Sequence, residues 1–130
     1  MTELNYLAIA AAAVAAFILS AVWYGVFGRQ LAKLNDAYAG DQRMPAWKVL
    51  AELVRNLVVA TALAGIIDRA GIGAVAGAAA LGSVMWLAFP VVILAGSVIH
   101  ENVPPKLAAI HAGDWLVKLT AIAVIVGGWQ

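Results

Sequence analysis

Residues 7–27 read LAIAAAAVAAFILSAVWYGVF, a run with no charge and no proline. A helix needs about 20 mostly apolar residues to cross roughly 30 Å of hydrocarbon, so this stretch is long enough to span a bilayer. Three more apolar runs follow, at residues 47–67, 71–99 and 107–129. The whole chain agrees with that reading: 65% of its 130 residues are hydrophobic and 12% charged, and its mean hydropathy is +0.94. A water-soluble domain carries about 45–50% apolar and about 25% charged residues. Disorder is excluded because the chain has too much apolar surface and a net charge of only +1. Eight Lys+Arg against seven Asp+Glu leave no basic excess for nucleic acid. There is no cysteine, hence no disulfide framework, thiolate metal site or cysteine nucleophile.

A cleaved signal peptide is the competing reading of the first run. It wants a positive n-region, and the tail before Leu7 carries only Glu3, so the run is read as a retained helix. Residues 28–46 form the one sustained polar stretch, with Gly40 and Pro45 as breakers; a helical extension through Leu34 opens it. The second span is expected from Trp47 to Ile67, followed by a tight polar turn at Asp68 and Arg69. The third, 71–99, is about 43 Å long as a straight helix, which predicts tilt or a kink, and Pro90 supplies the cause. Pro104 and Pro105 turn the chain into the fourth span, 107–129. A β-barrel is excluded by the absence of period-2 alternation. The expected fold is all-α: one integral membrane domain, a four-helix transmembrane bundle.

Lys and Arg in the connections set the orientation. One side collects Arg29, Lys33, Arg43, Lys48 and Lys106, and the other has only Arg69. This positive-inside bias places both termini on the non-cytoplasmic side. Trp23, Tyr24 and Trp47 then form one aromatic belt, with Tyr6 and Trp129 in the other.

Ionisable residues inside spans are the candidates for function. Glu52, Arg55 and Asn56 share one face of the second span, and His111, Asp114 and Lys118 form a stripe on the fourth. These two spans run in the same direction, so depths compare directly. Arg55 lies about 12 Å in from Trp47, Asp114 about 10.5 Å in from Leu107, and Lys118 about 16.5 Å in. Arg55 and Asp114 are therefore expected to pair, leaving Glu52 to Lys48 or Lys118. The formal charges of Glu52, Arg55, Asp114 and Lys118 sum to zero, so the network needs no counter-ion. It serves either as polar glue between helices or as a ligand or ion site. His100 and His111 match no metal signature, and no metal or cofactor is expected. No G-x-S-x-G, H-E-x-x-H or P-loop is present. Gly73-x-x-x-Gly77, with Ala74, Ala78 and Gly82, is a small-residue ladder that admits close helix contact within the bundle or between copies. Trp86 and Phe89 are read as bundle core or lipid-facing bulk.

Three motifs carry a family resemblance. Ser20-Ala21-Val22-Trp23-Tyr24 precedes Phe27-Gly28, and Met85-Trp86-Leu87-Ala88-Phe89 lies in the third span. The last segment runs from Glu101 through Pro104, Lys106, Ile110, Gly113, Trp115 and Leu116 to Gly127 and Trp129. In order and spacing they resemble the domain of unknown function 1761 family of small bacterial membrane proteins. The chain departs from that pattern at Gly25-Val26, where relatives often have additional residues, and at Asp114, where an aromatic residue is common. The resemblance implies a four-helix inner-membrane protein and no reaction.

The functional expectation is a non-enzymatic multi-pass protein of the bacterial inner membrane acting through helix contacts. It would work as a small oligomer or as an accessory subunit of a larger membrane complex. The alternative is a small transporter or channel whose path is lined by Glu52, Arg55, Asp114 and Lys118 from several copies.

Overall fold

The computed structural model describes residues 4–34 and 45–129, and among these no strand occurs. The chain forms α1 (Tyr6–Leu34), α2 (Ala46–Ala70), α3 (Val75–Trp86), a π-helical turn (Leu87–Val91), α4 (Val92–Glu101) and α5 (Pro105–Gly128). α3, the π-turn and α4 make one run, Val75–Glu101, so the described residues hold four helices long and apolar enough to cross a membrane. Helices are the form such segments must take, because hydrocarbon offers no partner to a backbone N–H or C=O.

Local chemistry sets the ends. Asn5 caps α1 by accepting the Ala8 N–H (3.1 Å), and its amide donates to the Trp129 carbonyl (2.9 Å). α1 continues through Leu34, whereas Asp36, Asp41 and Arg43 lie outside the described residues. α2 runs past Ile67 to Ala70, so Asp68 and Arg69 are its last turn and not a loop. The reversal falls on Gly71, whose φ of 70° is open to glycine at little cost. Its N–H and that of Ile72 return to Asp68 and Ile67, closing the helix in a Schellman motif. The third helix consequently starts at Val75, later than Gly71. Pro90 cannot donate a backbone hydrogen bond, and the helix widens around it into the π-turn. Asn102, at φ 55°, ends α4, and Pro105 opens α5 at the position where a missing N–H costs nothing.

α5 packs against α1, α2, α3 and α4. α1 runs antiparallel to it: Asn5 meets Trp129, Ser20 meets Asp114, and Trp23 meets Ile110. Asn5 and Trp129 therefore lie together at one end of the bundle, the terminal end. The Arg29, Lys33, Lys48 and Lys106 side chains belong to the opposite, basic end. At the terminal end the core is built from Ala12, Ala16, Ala60, Ala78 and Ala123 with Leu63, Ile67, Ile122 and Val126. At the basic end a smaller cluster joins Leu31, Leu107 and Ile110, against which Trp23 and Phe27 pack.

Candidate functional site

Between the two clusters α1, α2 and α5 part around a cleft of about 640 Å³. Its lining includes all six expected polar residues: Glu52, Arg55 and Asn56 from α2, and His111, Asp114 and Lys118 from α5. Along α1 it reaches from Leu31 to Phe17, a length of about 21 Å at helical rise. Beyond Phe17 the alanine-rich core closes the bundle.

The pairing inside the cleft differs from the expectation drawn from depth. Asp114 pairs with Lys118 of its own helix at 3.0 Å, and both side chains are buried. Arg55 pairs with Glu52, also within one helix, and is largely exposed at the mouth. Equal depth placed Arg55 and Asp114 at one level, but a pair also needs facing directions. Asp114 turns towards α1, where the Ser20 hydroxyl donates to its Oδ1 (2.6 Å) while Lys118 holds Oδ2. Both carboxylate oxygens are therefore engaged. The anchoring of Lys118 is completed by Trp115, whose ring centroid lies 4.0 Å from the ammonium. The same indole carries the Arg55 guanidinium at 6.0 Å, so Trp115 stands between the inner and the outer pair.

Asn56 donates to the Ala13 carbonyl at 3.3 Å and is buried, tying α2 to α1. His111 Nδ1 and the Tyr24 hydroxyl are 2.6 Å apart. Tyr24, which the sequence places in an interfacial belt, is thus part of the site, as are Ser20 and Trp115. What would have found them is the antiparallel register of α1 and α5: Ser20 with Asp114, and Tyr24 with His111 one turn nearer the basic end. His100 lies exposed near the end of α4. Among the described residues no three His, Cys, Asp or Glu side chains gather into a metal-binding group.

The small-residue ladder divides. A Cβ at Gly82 would lie 2.9 Å from the Leu119 carbonyl oxygen and 3.2 Å from Ala123, so Gly82 lets α3 touch α5. At Gly77 the near neighbour is Ile72 of the preceding turn, and at Gly73 nothing lies within 4 Å. Two tryptophans fasten other spans to α5. Trp23 donates to the Ile110 carbonyl (2.9 Å), its ring lying where a side chain on Gly113 would be, and Trp86 donates to the Ala112 carbonyl (2.7 Å). Trp86 is therefore bundle core, fastened by a hydrogen bond, and Phe89 is exposed.

These features define a multi-pass membrane protein with a charged cleft inside a four-helix bundle. The chain belongs to the family described as protein of unknown function (DUF1761), which matches residues 7–127. Trp23, Trp86 and Gly113, which carried the resemblance, are the residues that lock the first and third spans onto the last. Comparison with curated proteins and with solved structures gives no match.

Proposed function

We propose that the chain is a non-enzymatic carrier of the bacterial inner membrane that takes a small zwitterionic solute into the cleft of a single copy. The observation that carries this reading is the convergence of Glu52, Arg55, Asp114 and Lys118 on one blind cleft. Their formal charges cancel, so a lone anion or cation would enter uncompensated, and unpaired charge inside a span costs about 2.5–3.5 kcal/mol. A solute with one ammonium and one carboxylate leaves the sum at zero. It can exchange partners with the outer Glu52–Arg55 pair, while the inner Asp114–Lys118 pair fixes the floor. No assembly of several copies is needed to bring the four charges together. Access is from the basic end, which the excess of Lys and Arg assigns to the cytoplasm, with both termini outside. A reporter fused after Gln130 is expected to read out on the non-cytoplasmic side; a folded, fluorescent cytoplasmic fusion reverses the orientation.

The test of function uses purified protein and zwitterionic, anionic and cationic small solutes, screened by thermal shift in detergent and by uptake of the labelled solute into proteoliposomes, because a net-neutral solute displaces no charge. A saturable response to zwitterions that Arg55→Gln weakens supports the carrier. Responses to single ions alone replace it with a channel. No response to any class, with a stoichiometric protein partner in native extracts, returns the chain to the accessory-subunit reading. That second reading has its own support: in Val75–Glu101 only Ala78 and Gly82 are buried, leaving much of this span free for a partner helix or a second copy.

A further inference from the structure

A second cavity, of about 490 Å³, lies apart from the cleft at the basic end, lined by Val26, Arg29, Gln30, Lys33, Leu34 and Lys106. Its polar side is cationic. Arg29 and Lys33 stand one turn apart on α1, and Lys106 sits in the first turn of α5. Among the described residues none of the three cations is paired with a carboxylate, since the ion pairs there are Glu52–Arg55 and Asp114–Lys118. The same first turn adds to the positive field. Pro104 offers no capping side chain, so the Lys106 and Leu107 N–H groups have no acceptor within the helix and point towards this end of the bundle.

The height of the cavity matters as much as its charge. Arg29 follows Phe27, the last residue of the apolar run, by two positions, and Trp23, Tyr24 and Phe27 mark the interface on the preceding turns. At helical rise Arg29 and Lys33 lie about 3 and 9 Å beyond Phe27, which is the level of lipid headgroups, whereas Val26, 67% exposed, faces the hydrocarbon just below. A ligand held here meets cations above and an apolar wall beneath. Free phosphate would use the first and not the second.

The geometry points to a site for the phosphate of an anionic phospholipid, held by Arg29, Lys33 and Lys106, with the glycerol and upper acyl chain against Val26. This site is independent of the carrier reading: it lies outside the charged cleft and shares none of its polar residues. It fixes the basic ends of α1 and α5, the two helices that carry Ser20, Tyr24, His111 and Asp114.

Generic attraction of an anionic membrane to juxtamembrane cations is worth about 1 kcal/mol per Lys or Arg, roughly fivefold, whichever cation is removed. A built site is selective. The experiment is native mass spectrometry of the full chain released from mixed phosphatidylglycerol and phosphatidylcholine nanodiscs, counting lipids retained. The wild type is expected to keep one phosphatidylglycerol in preference to phosphatidylcholine. Arg29→Gln and Lys106→Gln should each reduce that retention by about tenfold or more, and Arg29→Lys should restore most of it. Lys48→Gln removes a cation from the same end but outside the cavity and should leave retention unchanged. All three positions are exposed, and unchanged far-UV circular dichroism will check the fold of each variant. Equal losses for Lys48→Gln and Arg29→Gln would mean surface charge alone and overturn the site. Equal retention of phosphatidylcholine would overturn its anion selectivity. Release of the lipid by inorganic phosphate at matched concentration would assign the cavity to the free ion.

Discussion

At the terminal end of the bundle α1, α2, α3 and α5 meet through alanine and glycine, whereas towards the basic end α1, α2 and α5 part around ion pairs and tryptophan. At the terminal end the packed side chains are small. Ala8, Ala12 and Ala16 recur every fourth residue on α1 and are fully buried, and Ala60, Ala78 and Ala123, also with no exposed area, belong to the same core as Ala12 and Ala16. Small side chains let backbones approach, which is the main source of helix affinity where lipid is as apolar as the core. From Phe17 onwards the cleft face of α1 mixes Phe17, Tyr24 and Leu31 with Ser20, Ala21, Gly25 and Gly28, and the helices separate. The space is lined by charges that are costly unless paired. A closed end supplies stability and an open end supplies a site, and the two are measurable separately.

The largest expected effect is at the open end. Lys118→Met leaves Asp114 buried beside Ser20 without its cation, and removing one member of a buried pair costs about 3–5 kcal/mol. The thermal midpoint in detergent should fall steeply, and Asp114→Asn added to Lys118→Met should recover most of the loss. Failure to recover would mean that the cleft solvates each charge separately.

Next is the closed end. Gly82→Leu forces a side chain against the Leu119 carbonyl, backbone that cannot yield, and overpacking of this kind costs about 1–3 kcal/mol. Gly73→Leu, with nothing within 4 Å, should leave the midpoint in place. If Gly73→Leu instead lowers the oligomer order in detergent while the fold persists, that end of the third span is a contact between copies.

Trp86→Phe sharpens the comparison at the clamp between α3 and α5. It keeps an aromatic ring, smaller than the indole, and removes the 2.7 Å hydrogen bond to the Ala112 carbonyl, whose share of the loss is about 0.5–1.5 kcal/mol. A null result would make the ring's packing the whole of its contribution.

The sequence disclosed unequal shares of this. Span number and the residues of the cleft follow from hydropathy and from charges at helical spacing, which depend on one helix at a time. Ser20, Tyr24 and Trp115 escaped because their roles arise between helices, and hydropathy carries no register. The alanine ladder of α1 was hidden for a related reason. In the run from Ala10 to Ala13 every face is small, so nothing singles out the one that packs. Gly73 and Gly77 stood out by residue type but flank a turn closed by Gly71, where no span crosses within contact distance of Gly73.

The smallest expected effect decides how the charges are wired. Arg55 and Asp114 lie at matched depth and line one cleft, so simple proximity predicts coupling between them. Their hydrogen bonds predict none: the Arg55 guanidinium is engaged by Glu52, and both oxygens of Asp114 are taken by Ser20 and Lys118. Arg55 has 58% of its side chain exposed at the mouth of the cleft, and with water filling that mouth its pair with Glu52 should contribute no more than about 0.2–1 kcal/mol. Arg55→Gln alone should therefore shift the midpoint little. In a double-mutant cycle with Asp114→Asn the losses should add to within about 0.3–0.5 kcal/mol, as for sites without a shared partner. Trp115 is in contact with both Arg55 and Lys118, so coupling carried by the indole should disappear when Trp115→Leu is introduced into all members of the cycle. Coupling that survives that substitution would mean a direct Arg55–Asp114 contact, and the inner and outer pairs would then be two states of one exchanging network.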